Sequence, residues 1–358
     1  MRTRLLMAVY ITTVIGCGSG SKSEPSKDAP TTATPTSATT PGSTEPPVVV
    51  STANPTIYNS RELAKLLNLG ELPQIKDTEV REKSAANLTA TAIGKVPEVA
   101  EFYRKQMEAL GWKSVPSPGV TINEEFGGDK FVKDGHIALL HLGKGFLEAN
   151  DPPKTSLNFV FHGNLDARTL PTNNVKFPED ALPTMAVYIS DNSIADEGKW
   201  TDKALQDAGW KEYSDIDLAA LPTDKHISRS YFKQAYSLSV FISKYGEGNR
   251  THVNYRPHVM PCEIPAPPDA SKIEYDTKNG WLRCKVPGNL KTVGEFYQKA
   301  MLDIGYTALP SADPQPAYMK LQFRESPTHK YVVQLKSGND DTISVDIMLI
   351  STIPPKKK

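Results

Sequence analysis

The side chains best suited to chemistry in this sequence are seven histidines and three cysteines, which could bind a metal ion or act as nucleophiles. The closest histidines, His136 and His141, lie five residues apart in a segment whose pattern predicts a strand. Successive side chains of a strand alternate between its faces, so these two rings should point in opposite directions and cannot chelate one ion together. His162 belongs to a separate strand. We therefore predict no metal site.

No local pattern of a known catalytic site occurs in the chain. The sequence contains no GxSxG, no HExxH, no phosphate-binding P-loop, no EF-hand loop and no GxGxxG after a strand. We therefore predict no catalytic residue and no cofactor. An enzyme whose site is assembled between domains would leave no local pattern, so an enzyme remains the alternative to a binding protein.

Cys17 ends a leader-like segment. A basic start with Arg2 and Arg4 precedes an apolar run over residues 5–15, and Gly16 and Cys17 follow. The run is too short to cross a hydrocarbon core of roughly 30 Å, so a cleaved export signal fits better than a membrane span. Residues 1–18 resemble a bacterial lipoprotein signal peptide with a lipobox. The resemblance implies cleavage before Cys17 and acylation of its thiol, as with palmitate. An ordinary secretory peptide is the alternative.

The same resemblance places the mature chain in the bacterial cell envelope. The lipid on Cys17 would hold it at the outer membrane or cell surface, on the extracytoplasmic side. Residues 18–56 are rich in Ser, Thr, Pro and Ala without an apolar period, which predicts a disordered stalk. Basic and acidic residues number 41 each, and loss of Arg2 and Arg4 with the leader would leave a net charge of −2. This balance does not favour nucleic acid as a partner.

The other two cysteines, Cys262 and Cys284, would lie in an oxidising compartment if the chain is exported. Disulfides form and persist there, and two cysteines permit only one pairing. We therefore predict a Cys262–Cys284 disulfide that ties a proline-rich segment to a strand. The alternative is two separate thiols, with Cys284 buried in its strand. Neither residue belongs to a CxxC pair.

One predicted sheet face carries an excess of cations. Strand alternation near the C-terminal end of the chain places on this face Trp281, Arg283, Lys285, Tyr318, Lys320, Arg324, Lys330 and Lys336, together with Gln322 and Gln334. Asp346 is the one obvious acid on the same face. Such a face could bind an anionic envelope polymer or a protein partner through charge and aromatic stacking. The alternative is the solvated side of an antiparallel sheet.

The elements that position these residues belong to a repeat. When the chain is aligned with itself at an offset of 194, residues 94–112 match residues 288–306 at eight of 19 positions. A weaker copy at an offset of 98 places Trp200, Leu205, Gly209 and Trp210 on equivalent positions. Copies spaced by these offsets have the length of small domains and are longer than the repeats of a solenoid protein.

Each copy predicts one helix followed by strands. In the third copy Val293, Phe296, Tyr297, Ala300, Met301 and Ile304 recur at helical spacing. We predict that these side chains form core, and that Gly111, Gly209 and Gly305 end the three helices in the left-handed conformation. Alternating strands precede and follow each helix, as at Leu282-Cys284-Val286 and Ile343-Val345-Ile347-Leu349 in the third copy. The same alternation predicts strands at Val120-Ile122 and Ile137-Leu139 in the first copy and at Met185-Val187 in the second.

The predicted fold class is α+β, with three tandem β-α-β-β-β modules, each an antiparallel sheet with one helix packed on one face. By topology alone this unit is similar to the helix-grip domains of some envelope-assembly lipoproteins. The predicted organisation is a signal peptide at 1–16, the lipidated cysteine and stalk at 17–56, modules at 57–167, 168–261 and 262–354, and a basic tail at 355–358. We expect a non-enzymatic binding or scaffolding role, with an envelope hydrolase as the alternative.

Overall fold

The computed structural model describes residues 58–115, 122–145, 152–178, 181–214, 226–246, 248–311, 314–338 and 340–351. The predicted leader, Cys17, the stalk and the basic tail lie outside the described residues. Within these ranges, seventeen strands form three antiparallel sheets. No helix in the described part of the chain combines the length and the apolar character that crossing a membrane requires.

The first sheet follows a short helix, α1 (Ser60–Leu66). It contains β1 (Glu79–Lys83), β2 (Asn87–Ile93), β3 (Lys113–Val115), β4 (Phe126–Lys133), β5 (His136–Lys144) and β6 (Lys154–Gly163), in the spatial order β1-β2-β6-β5-β4-β3. Helix α2 (Val96–Ala109) connects β2 to β3 and contacts β3, β4, β5 and β6.

The second sheet has five strands and the third has six. The second contains β7 (Ala186–Ser190), β8 (Lys211–Tyr213), β9 (His226–Lys233), β10 (Tyr236–Lys244) and β11 (Thr251–Val259), in the order β7-β11-β10-β9-β8, with helix α3 (Ile194–Asp207) after β7. The third contains β12 (Ser271–Asp276), β13 (Trp281–Pro287), β14 (Thr307–Leu309), β15 (Tyr318–Ser326), β16 (His329–Ser337) and β17 (Thr342–Ser351), in the order β12-β13-β17-β16-β15-β14, with helix α4 (Leu290–Asp303) after β13. The predicted α+β class with three antiparallel sheet units is confirmed.

The elements recur at the spacing of the sequence repeat. The helices α2, α3 and α4 each have 14 residues, and their first residues, Val96, Ile194 and Leu290, are offset by 98 and 194. The short strands that follow begin at Lys113, Lys211 and Thr307, with the same offsets. The alignment found in the sequence therefore matches the alignment of the elements.

The three helices end as predicted. Gly111, Gly209 and Gly305 have φ angles of +80°, +83° and +98°. In each case the glycine N–H donates to the carbonyl three residues back, and the next N–H donates to the carbonyl five residues back. This pair of hydrogen bonds is the Schellman arrangement, which satisfies carbonyls that the helix end leaves open.

The strands differ from prediction in number and position. No sequence pattern predicted the edge strands β1, β3, β8, β12 and β14, because three to six residues carry too little periodicity. The sequence predicted a strand at Val120–Ile122, whereas the long strand after α2 and β3 is β4. Of that prediction only Ile122 is described, and it lies outside the strands.

Two strands turn the opposite face inward from the one predicted. The pattern favoured Ile137 and Leu139 as the core side of β5, but the buried side chains are Ala138, Leu140 and Leu142. Both faces of β5 are apolar, so alternation could not specify the phase. In β7 the buried residues are likewise Ala186 and Tyr188 rather than Val187.

The buried core forms two clusters, which do not correspond one to one with the three sheets. The first cluster contains the buried side chains of the first two sheets. The second contains those of the third sheet together with Tyr213 and Phe232 of the second, which pack their rings against Tyr275 of β12. The third sheet also contacts the first, since the Lys278 ammonium lies 3.8 Å from a carboxylate oxygen of Glu82 in β1.

Candidate binding face of the third sheet

The predicted cationic residues lie on the face of the third sheet that points away from its core. In β13, Leu282, Cys284 and Val286 are buried, and Trp281, Arg283 and Lys285 alternate with them on the other side. Tyr318, Lys320 and Arg324 occupy that side of β15, and Lys330 and Lys336 that side of β16. Each of these eight side chains is exposed or half-buried, whereas Val332 on the same face of β16 is buried.

The half of this face on β13 is electrically compensated. The Arg283 guanidinium lies 3.5 Å from Asp346 and 3.7 Å from Glu274. Glu274 belongs to β12, an edge strand that the sequence did not predict, so this acid was missed. Its signal was the alternation of Ile273 and Tyr275, which are both buried.

Two further contacts occupy the β13 half. The Arg283 guanidinium stacks 4.8 Å above the Trp281 ring, so one face of this ring is covered. The Lys285 ammonium lies 3.5 Å from a carboxylate oxygen of Asp340. A hydrogen bond from the Thr342 hydroxyl lowers the pKa of Asp340, and Lys285 adds to that shift. The β13 half therefore offers little free charge to a ligand.

The half on β15 and β16 is uncompensated. Lys320, Arg324 and Lys336 have no ion-pair partner among the described residues, and Lys330 donates to the neutral amide oxygen of Gln322 at 3.1 Å. Arg324 and Lys330 sit directly opposite each other across the β15–β16 pair. Like charges in this position repel and destabilise a sheet. We call these four cations the β15–β16 patch.

A shallow depression of about 280 Å³ borders the patch. Its lining includes Arg283, Gln334, Lys336 and Asp346. One carboxylate oxygen of Asp346 is buried and has no hydrogen-bond partner within the described chain. The depression therefore joins the compensated half of the face to the patch.

The structure departs from the predicted disulfide, since Cys262 and Cys284 are separate buried thiols. The Cys262 sulfur lies near Gly280, just before β13, and four residues of extended strand separate that glycine from Cys284 by roughly 13 Å. A disulfide needs Cα atoms within about 7 Å. Burial raises the pKa of Cys262 to about 12 and of Cys284 to about 11, so neither thiol is a ready nucleophile.

The histidines occupy separate environments. His136 is buried on the core side of β5, and His141 lies on the opposite, exposed side, as predicted. Burial lowers the pKa of His162 to about 4. Within the described ranges, no group of three or more His, Cys, Asp or Glu side chains has the geometry to hold a metal ion.

A buried carboxylate in α3 escaped the sequence prediction. Glu197 has no exposed surface and accepts hydrogen bonds from the Tyr188 hydroxyl at 2.8 Å, the Ser190 hydroxyl at 2.6 Å, and the amides of Asn192 at 2.8 Å and Asn173 at 3.2 Å. The repeat places Val99 and Val293 at the position of Glu197, and both are buried. A polar residue at an apolar repeat position was the available sequence signal.

A cleft of about 240 Å³ lies between the second sheet and the segment that leads into the third. Glu263 and Lys211 line it. Burial raises the pKa of Glu263 and lowers that of Lys211. Both groups are already bonded, because Glu263 accepts from the Ser60 N–H of α1 at 2.5 Å and Lys211 donates to the Ala266 and Pro267 carbonyls. These contacts tie the segment between β11 and β12 to α1 and to β8.

Comparison of the chain with protein-family models, with curated protein sequences and with solved structures found no match.

Proposed function

We propose that this chain is a lipid-anchored bacterial envelope protein that binds an anionic envelope polymer through the β15–β16 patch. It consists of three tandem β-α-β-β-β modules, each a sheet with one helix packed on one face, extended by short edge strands. The equal helices at offsets of 98 and 194 and the three matching helix ends support this modular interpretation.

The opposition of Arg324 and Lys330 carries the binding proposal. Two cations held face to face on a solvated sheet repel each other, and no described acid relieves that repulsion. A polyanion laid across β15 and β16 would neutralise both, with Lys320 and Lys336 on either side. Trp281 contributes less, because Arg283 covers one face of its ring.

Charge reversal tests the patch. The triple variant Lys320→Glu, Arg324→Glu, Lys336→Glu should lose retention on immobilised dextran sulfate. Its melting temperature should change little, because exposed charges contribute about 0–1 kcal/mol each. The control, Lys65→Glu, Lys199→Glu, Lys291→Glu, changes the net charge equally on exposed helix positions and should be retained like the wild type. Equal retention of both variants would contradict the proposal.

Anchoring has a separate test. Metabolic labelling with a fatty-acid analogue should mark the wild-type protein and leave Cys17→Ser unlabelled. Labelling that survives this substitution would remove the basis for the lipid anchor, and would leave the binding proposal untouched.

A hydrolase is the second candidate, and the cleft with Glu263 and Lys211 is the observation that favours it, since opposed pKa shifts are common at catalytic sites. Their hydrogen bonds to backbone groups favour a structural role instead. Hydrolysis of an envelope polysaccharide that is lost in Glu263→Gln would support the hydrolase. Unchanged retention on dextran sulfate in the same variant would show that the two sites are separate.

A further inference from the structure

A second, unrelated site lies on the outer face of the first sheet. There a cleft of about 320 Å³ opens between β4, β5 and the segment that leads into the second sheet. Ile137 and Leu139 form its floor, and Leu182 and Pro183 form its roof. Ile137 and Leu139 are the two apolar side chains that the sequence pattern assigned to the core side of β5.

The roof of this cleft is fixed by backbone hydrogen bonds. The Ala167 N–H donates to the Pro183 carbonyl at 2.7 Å, and Leu182 and Met185 exchange two backbone hydrogen bonds at 3.1 and 3.2 Å. These hydrogen bonds hold the connecting segment over the sheet. Because the apolar cavity is already formed, little conformational entropy is lost in ordering it when a ligand binds.

The cleft carries one uncompensated positive charge. Lys130 lines it and has no ion-pair or hydrogen-bond partner among the described residues. Among the described residues of the lining the one acid is Asp129, which turns its carboxylate to the opposite side of β4, where it accepts from Arg104 at 2.9 Å and Ser114 at 2.6 Å. Desolvation lowers the pKa of His141, which favours the neutral form of this ring. The described lining is thus largely apolar, with Lys130 as its one cation.

We propose that this cleft binds a small amphiphilic anion of the medium-chain fatty carboxylate class. Its volume of about 320 Å³ lies at the lower end of the range of small-ligand pockets, roughly 300–1,000 Å³, which favours a small ligand. The carboxylate pairs with the Lys130 ammonium, and the chain lies between Leu139 and Leu182. This site is independent of the β15–β16 patch.

Calorimetric titration of the full chain with three ten-carbon probes tests the proposal. Decanoate should bind with one site per chain and at least tenfold more tightly than decanol, and decyltrimethylammonium should bind most weakly. Lys130→Glu should weaken decanoate binding at least tenfold and leave decanol binding unchanged. The control Lys199→Glu, with the same change in charge, should bind decanoate like the wild type.

Blocking the cavity gives a second test. Leu139→Trp should abolish binding of both decanoate and decanol, because the indole fills the space above β5. Leu182→Trp, at a side chain that is 53% exposed, should do the same without disturbing the sheet. The proposal is wrong if the wild-type chain does not bind decanoate, if decanol binds equally well, or if Lys130→Glu and Leu182→Trp both leave decanoate binding unchanged.

Discussion

At the residue scale, the middle repeat differs from the others by a matched polar set. Where the second copy has Tyr188, Ser190 and Glu197, the first has Ala90, Ala92 and Val99, all buried. A buried carboxylate is tolerated only when hydrogen bonds satisfy its lone pairs. Four donors do this for Glu197, so the changes work as a set.

Replacing Glu197 with valine tests this interdependence. The variant restores the residue type of the other copies but removes the acceptor of the Tyr188 and Ser190 hydroxyls and of one Asn192 hydrogen bond, which should cost about 1–3 kcal/mol or more. Adding Tyr188→Phe and Ser190→Ala should recover part of the loss, measured by chemical denaturation. A fully stable single variant would show that the carboxylate is dispensable.

Glu263 should make stability depend on pH. Burial raises its pKa in the folded state, so the folded protein retains this proton where the unfolded chain has lost it. Stability should therefore fall as pH rises above about 4.3, the ordinary pKa of glutamate, until the folded-state pKa is passed. Glu263→Gln keeps an acceptor for the Ser60 N–H and should remove this decline. If the melting temperatures of both proteins change in parallel between pH 4 and pH 8, this explanation is contradicted.

At the scale of elements, the three helix ends are the most regular feature. Each glycine has a positive φ, which a β-branched residue adopts only at a cost of roughly 1–2 kcal/mol. Gly111→Val and Gly209→Val should therefore lower the melting temperature similarly. Gly305→Val should behave like them, because the Arg61 side chain that lies where its Cβ atom would stand is exposed and can move aside.

Asparagine provides the matched control for these substitutions, since it tolerates the left-handed region better than valine. Gly111→Asn and Gly209→Asn should lose less stability than their valine counterparts. Equal melting of the valine and asparagine variants would mean that backbone conformation at these positions does not limit stability.

The helices were predictable because their signals are local. Spacing such as Val293, Tyr297 and Met301, together with a terminal glycine, specifies both the buried face and the end. The edge strands were not predictable, since three-residue elements such as β14 depend on the neighbouring strand for their hydrogen bonds. The prediction of which face of β5 is buried failed for a different reason: the segment that lies over Leu139 is distant in sequence.

The residues of the candidate face could be predicted from the sequence, but the ion pairs that they form could not. Alternation placed all eight residues on one side of the third sheet. The pairing of Arg283 with Glu274 depends on β12, and the pairing of Lys285 with Asp340 depends on how the strand β17 begins. Only the register between strands could show that Arg324 and Lys330 lie opposite each other.

At the scale of the whole molecule, each sheet contacts the other two. The Tyr236 hydroxyl of the second sheet donates to Asn164 after the first sheet at 2.6 Å, and Ser214 of the second sheet pairs with Glu274 of the third. Glu263 and Lys278 complete the contacts through α1 and β1. Among the described residues, the contacts between sheets do not involve the β15–β16 patch.

Lysine footprinting tests the binding face most directly. The full chain is acetylated with and without dextran sulfate, and modification at each lysine is measured by mass spectrometry. We expect protection of Lys320, Lys330 and Lys336 by dextran sulfate but not by neutral dextran, and loss of that protection as salt shortens the screening length from about 10 Å at 0.1 M to about 3 Å at 1 M. Lys199 and Lys291 should be modified equally throughout. Protection spread evenly over all lysines, or none at the β15–β16 patch, would contradict the proposed function.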